Sequence, residues 1–263
     1  MVMLNKKEIE KIIEFTKEGV SLNKIAKILR KSKTTVYYHF RKIKGKTYYP
    51  INLNLKDEEL IGEFIGLFAG DGCQYKTKSY VYRTYLFFNT AERIYVMELK
   101  KVLYKLFNKQ LSQINVKNVI ALVYYSKNVY DFVRSYLKWD IHKRKSHSVR
   151  LKNCSDSKKF KIGFLRGCID SDGYLSDKKI NFATTSRKLA ENIKNFLSDL
   201  NVNYHYHVYK EKRSNRVDIH HININMKERE RFMKIISPRE IKNLNASAGI
   251  RNSETKWKFG FPR

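Results

Sequence analysis

The sequence predicts an α+β protein: a small all-α module of three helices, followed by two pseudo-symmetric αββαββα repeats. Three observations predict it. Apolar residues recur at helical spacing through residues 6–44. Two glycine-studded apolar segments repeat at a constant offset of 101 residues. Each is followed by the same succession of β-rich runs and amphipathic stretches.

The module comes first. Ile9, Ile12, Ile13 and Phe15 mark one helix, and Gly19 suits the residue that closes it. Ser21 can cap a second helix with Ile25, Ala26, Ile28 and Leu29 on its apolar face. After a short turn at Arg30 and Lys31, Ser32 can cap a third. With Val36, Phe40 and Ile43 in the core, Lys33, Thr34, Tyr37, Tyr38 and Arg41 face outward. Residues 18–29 and 32–38 resemble the helix-turn-helix domains of resolvases and sigma-like regulators. The resemblance implies a DNA-binding domain over 1–45, its outward set touching phosphates and base edges. A three-helix protein-docking module is the bland alternative. Residues 46–56, through Pro50 and Asn52-Leu53-Asn54, read as a linker.

The rest of the chain is a repeat. Ile61-Gly62-Glu63-Phe64-Ile65-Gly66-Leu67-Phe68-Ala69-Gly70-Asp71-Gly72 aligns with Ile162-Gly163-Phe164-Leu165-Arg166-Gly167-Cys168-Ile169-Asp170-Ser171-Asp172-Gly173. Small residues recur every fourth position, Gly62, Gly66, Gly70 and Gly163, Gly167, Ser171, so each trio shares one helix face. A glycine inside a helix costs about 1 kcal/mol relative to alanine, and close approach of two backbones is the natural offset. The two helices are expected to cross along these faces, with Gly62, Gly66, Gly163 and Gly167 at the contact. Strands follow from runs at 80–88, 119–125, 204–209 and 217–224, rich in β-branched and aromatic residues. Between and after them lie helices at about 91–107, 127–138, 187–200 and 227–236. This gives a first repeat over 57–139, a linker over 140–156, a second repeat over 157–240 and a tail over 241–263. The linker's Lys143, Arg144, Lys145, Arg150 and Lys152 read as a solvated charge run.

The 263 residues carry 54 Lys and Arg against 25 Asp and Glu, a net charge of +29, which points to a polyanionic partner. Codon bias in an AT-rich genome would raise Lys without depleting Asp and Glu. Nucleic acid is the expected partner, ahead of an anionic membrane surface or an acidic protein. At 42% hydrophobic and 13% aromatic with 3 Pro, the chain can bury real cores, which excludes disorder. No apolar run reaches the roughly 18 residues of a spanning helix, and the start lacks a secretory apolar region. Cys73, Cys154 and Cys168 show no CxxC spacing, so a reduced, intracellular protein is expected.

Asp71 and Asp172 fall where the repeated helices should end, with Gly72 and Gly173 available for a left-handed closing residue. The placement is locally unfavourable. A carboxylate there opposes the helix dipole, repels its symmetry mate and repels phosphate. A divalent cation resolves all three conflicts, and carboxylates beside helix-end carbonyls suit Mg²⁺.

These two segments resemble the LAGLIDADG homing endonucleases in single-chain, two-motif form. Leu165-Arg166-Gly167-Cys168-Ile169-Asp170-Ser171-Asp172-Gly173 keeps both acids of the motif. Phe64-Ile65-Gly66-Leu67-Phe68-Ala69-Gly70-Asp71-Gly72 has Ala69 at the sixth position but retains the last acid. Residues 183–200 look like the helix after the first hairpin in intein and intron endonucleases, and 88–93 begin its counterpart, so the resemblance spans about 55–240. It implies two LAGLIDADG repeats forming a saddle over double-stranded DNA, in a monomer with internal pseudo-two-fold symmetry. It also implies catalytic Asp71 and Asp172 holding Mg²⁺ or Mn²⁺, helped by backbone oxygens of Gly70 and Ser171. Cleavage across the minor groove would leave 3′ overhangs. Many members add a lysine or glutamine near the second helix. Here Thr90, Ala91, Thr184 and Thr185 stand around those positions, leaving Arg93, Arg187, Lys127 or Lys227 as candidate accessory bases.

Lys76, Lys78, Arg83, Lys210, Lys212, Arg213 and Arg216, on strands and hairpins, are candidate DNA contacts. His205, His207, His220 and His221 lie on adjacent expected strands, as a transition-metal cluster, as a general-base pair or, more simply, as part of a DNA-facing sheet. The leading expectation is a Mg²⁺-dependent endonuclease. The alternative is a DNA-binding regulator or RNA-splicing maturase that keeps the scaffold and has lost cleavage.

Overall fold

The computed structural model describes residues 4–44, 51, 53–77, 81–152, 156–211 and 217–239. The chain divides into two compact units, 1–50 and 51–263. The expectations for Lys78, Cys154, Lys212, Arg213, Arg216 and residues 241–263 lie outside the described residues, as does most of the expected linker after residue 44.

The first unit holds α1 (Lys6–Lys17), α2 (Leu22–Ile28) and α3 (Lys33–Lys44). Gly19 between α1 and α2 has φ +81°, the left-handed conformation expected of it. The Asn5 side chain accepts from the Glu8 amide while the Glu8 carboxylate accepts from the Asn5 amide, closing the start of α1. Ile12, Ile25, Ala26, Val36 and Phe40 form the core, with Leu4, Phe15, Val20, Leu22 and Leu29 packed around it. Two expected core residues lie outside it. Ile28 is 50% exposed at the last position of α2, and Ile43 is 37% exposed near the end of α3.

The second unit repeats one pattern twice. α4 (Glu58–Asp71) leads into β1 (Gly72–Lys76) and β2 (Tyr82–Asn89), then α5 (Arg93–Phe107), β3 (Ser112–Val116), β4 (Val119–Tyr125) and α6 (Lys127–Tyr136). β5 (Leu137–Lys138), α7 (Lys145–Ser148) and β6 (Arg150–Leu151) cross to the second copy. There α8 (Lys158–Asp172) leads into β7 (Tyr174–Ser176), β8 (Lys179–Thr184), α9 (Arg187–Asp199), β9 (Tyr204–Tyr209), β10 (Ile219–Ile224) and α10 (Arg229–Ile236). Each copy has a four-stranded antiparallel sheet, in the orders β1-β2-β4-β3 and β7-β8-β10-β9. The expected linker is therefore structured, since β5 and β6 pair through Leu137 with Leu151 and Lys138 with Arg150.

α4 and α8 join the copies. Each is buried through its middle, from Ile61 to Ala69 in α4 and from Gly163 to Ser171 in α8, as helices enclosed by protein must be. A Cβ at Gly62 would stand 2.8 Å from the Phe164 nitrogen, and one at Gly167 would stand 2.5 Å from that of Leu67. Gly66 and Gly163 face the opposing backbone in the same way, at the Cys168 and Glu63 nitrogens. The offset to the glycines' helix cost is thus backbone contact along the expected face. One core runs through both copies, from Phe64, Phe107 and Phe132 to Phe164, Phe182, Phe196 and Phe232.

Candidate active site and nucleic-acid interface

α4 and α8 end on Asp71 and Asp172, as expected. Gly72 and Gly173 do not adopt the left-handed conformation, having φ −85° and −76° in extended backbone. Glycine is needed there for space instead. A Cβ would run into the Phe68 ring at Gly72 and the Ile169 side chain at Gly173, because the chain turns straight from helix to strand.

The last carbonyls of the two helices lack helical partners, and the two ends are built differently. In α8 the Ser171 hydroxyl lies 2.9 Å from the Gly167 carbonyl oxygen and 3.3 Å from that of Cys168. In α4 the matching position is Gly70, which has no hydroxyl. Lys145, the first residue of α7, places its ammonium there, donating to the carbonyls of Phe68, Ala69 and Gly70 at 2.6, 2.8 and 3.0 Å. The ammonium also sits 5.0 Å from the centre of the Phe68 ring. A cation on helix-end carbonyls is favoured by the dipole that opposes Asp71.

The bare Cα of Gly70 has a second use. A Cβ there would meet Ser171 and lie 2.9 Å from the Asp172 Oδ2, so the Asp172 carboxylate reaches across to the end of α4, one residue from Asp71. Asp172 is exposed and Asp71 half-buried, so solvent reaches both. Two thiols flank them. Burial pushes the Cys168 thiol far above its ordinary range, and the Asp172 charge adds to the rise while Lys145 opposes it. Burial also raises the Cys73 thiol, again against the pull of Lys145. Neither thiol is poised as a nucleophile.

The sixth motif position has a different job. The Asp170 carboxylate is buried and accepts the Arg239 amide at 3.1 Å, while Ala69 is buried in the core. The departure at Ala69 therefore replaces a structural acid, not a group at the carboxylate pair.

Residues 159–237 match the family model of the LAGLIDADG-like domain. The chain has the LAGLIDADG fold. The homing endonuclease I-DmoI in complex with DNA and Mn is 16% identical and aligns over 73% of this chain and 99% of its own, with a TM-score of 0.54. A point variant of I-DmoI, in complex with its target DNA in the presence of Mg, is 18% identical over 70% of this chain and 98% of its own, with a TM-score of 0.53. A third structure, I-DmoI with DNA and Ca, gives 18% identity, 68% and 89% coverage and a TM-score of 0.52. At these identities the likeness is one of fold. No curated protein matches the sequence.

The two LAGLIDADG sheets turn unlike faces away from their helices. In the first, Tyr85, Ala121 and Val123 form a separate apolar cluster with Cys73 and Phe87 packed on it. The Tyr85 and Phe87 rings are stacked 5.5 Å apart. Arg83 shares this face, its guanidinium 5.6 Å from the Tyr125 ring and its Nε without a hydrogen-bond partner among the described residues. In the second sheet the matching face carries Asn181, His221, Asn223, His205 and His207. Asn181 donates to Asn223 Oδ1 at 2.9 Å, and His221 Nδ1 lies 3.3 Å from Asn181 Oδ1. His207 and His221 stack at 5.0 Å. His220 points to the other face, where its Nδ1 meets the Tyr206 hydroxyl at 2.7 Å. The four histidines are therefore split between two faces, and the described residues hold no group of three His, Cys, Asp or Glu side chains placed for one metal ion.

The remaining expected contacts sit as follows. Lys33, Thr34, Tyr38 and Arg41 are exposed on α3, and Tyr37 is half-buried. Lys76 is exposed, 5.4 Å from the Tyr82 ring, and Lys210 pairs with Asp218 at 2.7 Å. Arg93 and Lys127 are exposed at the starts of α5 and α6, Lys227 is exposed just before α10, and Arg187 pairs with Glu191 on the surface. Sequence reasoning passed over Lys145 because a charge run says nothing of which lysine will meet a helix end 75 residues away.

Proposed function

We propose that this chain is a site-specific, divalent-metal-dependent DNA endonuclease that hydrolyses phosphodiester bonds and leaves 3′ overhangs. The observation that carries the reading is that the Asp172 carboxylate at the end of α8 reaches the end of α4, one residue from Asp71, in a chain of net charge +29. I-DmoI, which shares the fold, is found with DNA and Mn, Mg or Ca.

The residues fit a hard divalent ion. Every donor is oxygen, from the two carboxylates and the carbonyls of Gly70 and Ser171, and both acids are accessible enough for water and phosphate to complete a shell. The end of α4 already holds positive charge on its carbonyls, so its field suits a cation. When bound, Mg²⁺ or Mn²⁺ would polarise the scissile phosphate and activate water. The protein's own part is to bring the ends of α4 and α8, with Asp71 and Asp172 on them, together through backbone contacts that leave little slack. Arg83, Lys76 and Lys210 are candidate phosphate contacts, and the polar second sheet is the candidate reader of base edges. The helix-turn-helix unit, through Lys33, Thr34, Tyr37, Tyr38 and Arg41, would add affinity or target length. The chain would act as a monomer, its two repeats supplying both halves of the site, inside a reducing compartment.

A second reading is favoured by one observation. Lys145 occupies the Gly70 carbonyl that the metal would use, as expected of a regulator or maturase that has lost cleavage. Incubating the full chain with a large randomised plasmid library in Mg²⁺, then sequencing the ends, separates the two. Discrete double-strand cuts with 3′ overhangs support the nuclease. Intact plasmids with specific members retained on the protein support the regulator.

A further inference from the structure

The pseudo-symmetry of the repeats fails at the one place where a symmetric pair of sites would need it. At the end of α8 the serine hydroxyl bonds back to carbonyls within the helix, and the Gly173 amide donates to the Ile169 carbonyl at 3.1 Å. The end of α4 has glycine in that place and is closed by a positive charge from elsewhere in the chain, donating to three successive carbonyls. One ammonium thus holds three successive carbonyls at 2.6–3.0 Å. Lys145 is held in place by its own element: the Val149 amide donates to its carbonyl at 2.8 Å, and Ser146 accepts from Thr185 at 2.8 Å, which ties α7 to the second repeat.

We infer that Lys145 is a resident cation of the paired-helix site: its ammonium competes with a divalent ion for the Gly70 carbonyl, so the two metal positions of the repeats are unequal. The position at Ser171 is open, and the position at Gly70 fills only when Lys145 withdraws. Lys145 is thus a positioning residue that keeps the carboxylate pair assembled before metal arrives, offsetting part of their mutual repulsion. The inference rests on the metal-dependent reading above but is tested without cleavage.

Mn²⁺ binding to the full chain is titrated by electron paramagnetic resonance for wild type and Lys145→Met, which keeps the apolar stem and removes the charge. Removing a unit charge a few ångströms from a dication should tighten the weaker site about tenfold even with water-like screening. In parallel, acylation of wild-type lysines by an amine-reactive ester is read by mass spectrometry in EDTA and in saturating Ca²⁺. Lys145 should react slowly beside the exposed Lys143 in EDTA and several-fold faster in Ca²⁺. Equal or weaker Mn²⁺ binding by Lys145→Met, or no detectable binding by either protein, overturns the inference. So does a Lys145 labelling rate indifferent to Ca²⁺, which decides the matter on wild type should the variant not fold. A variant that tightens Mn²⁺ in a chain that cuts no DNA would sink the nuclease reading and leave the resident cation standing.

Discussion

Arg166 is the residue on which the two repeats are pinned. Its guanidinium, 7% exposed, meets Glu59 at 2.6 Å and Glu63 at 3.2 Å, and Nε donates to the carbonyls of Ile236 and Ser237. Arg239 adds two bonds to Glu63 at 2.6 and 3.0 Å, and that carboxylate in turn raises the Arg239 pKa. The arrangement breaks the repeat, because the positions matching Glu63 and Arg166 are Phe164 and Ile65. Removing Arg166 leaves the buried Glu63 with Arg239 alone and takes the guanidinium from Glu59. Arg166→Met should therefore lower unfolding free energy by about 3–5 kcal/mol, read as a lower urea midpoint with unchanged slope. An unchanged midpoint would mean that the network contributes nothing net. At this scale the sequence disclosed the ends of the motifs, Asp71 and Asp172, and not what lies behind them. Glu63, Arg166 and Arg239 are ordinary charges in a charged chain, and only the crossing of α4 and α8 brings them together.

Elements were more legible than the contacts between them. The extents of β4 and β9 match the expected 119–125 and 204–209, because β-branched and aromatic runs bounded by polar turns state their own limits. The spacing of Gly62, Gly66, Gly163 and Gly167 likewise announced a face of close approach, which the structure bears out. Gly167→Ala should thus cost about 3 kcal/mol or more, since the new methyl meets backbone that cannot turn aside. Thermal unfolding checks it, and a variant as stable as wild type would refute the close packing. The unlike outer faces of the two sheets were not legible. Alternation shows that two faces differ, but both faces of β2 and β4 are apolar, so pattern alone could not say which one meets the core. If the sheets read DNA, the Asn and His face of β8, β9 and β10 offers donors and acceptors, whereas Tyr85, Ala121 and Val123 on the matching face of the first sheet are buried and offer bases little. Target sites recovered from the library should carry most of their information in one half. His207→Ala with His221→Ala should relax that half alone; loss spread evenly over both halves would contradict the division.

For the molecule as a whole, charge is the dominant property, and it is read directly from composition. A surplus of +29 predicts DNA affinity that falls steeply with salt, each neutralised phosphate adding about 0.9 to the log–log slope. Titration adds a pH dependence to stability. Burial lowers the His221 pKa first, and the charges of His207, Lys179 and His220 lower it further; His220 is lowered chiefly by burial. The unfolded chain then takes up protons before the native one does, so stability declines as pH falls from about 6.5 toward the lower native values. Urea midpoints between pH 7.5 and 5 should drop over that window, and His221→Asn should flatten the drop; a midpoint that rises on acidification would reverse the sign of the argument. Net charge and repeats thus pointed to a partner and a symmetry, while the asymmetry at Lys145 needed coordinates. The central claim is that Asp71 and Asp172 form one metal-dependent site at the join of the repeats. Its most direct test is cleavage of the recovered target in Mg²⁺ by wild type, Asp71→Asn and Asp172→Asn, each first shown by gel shift to bind the DNA. The account predicts retained binding and loss of double-strand cleavage in both variants. Cutting at the wild-type rate by either variant would contradict it.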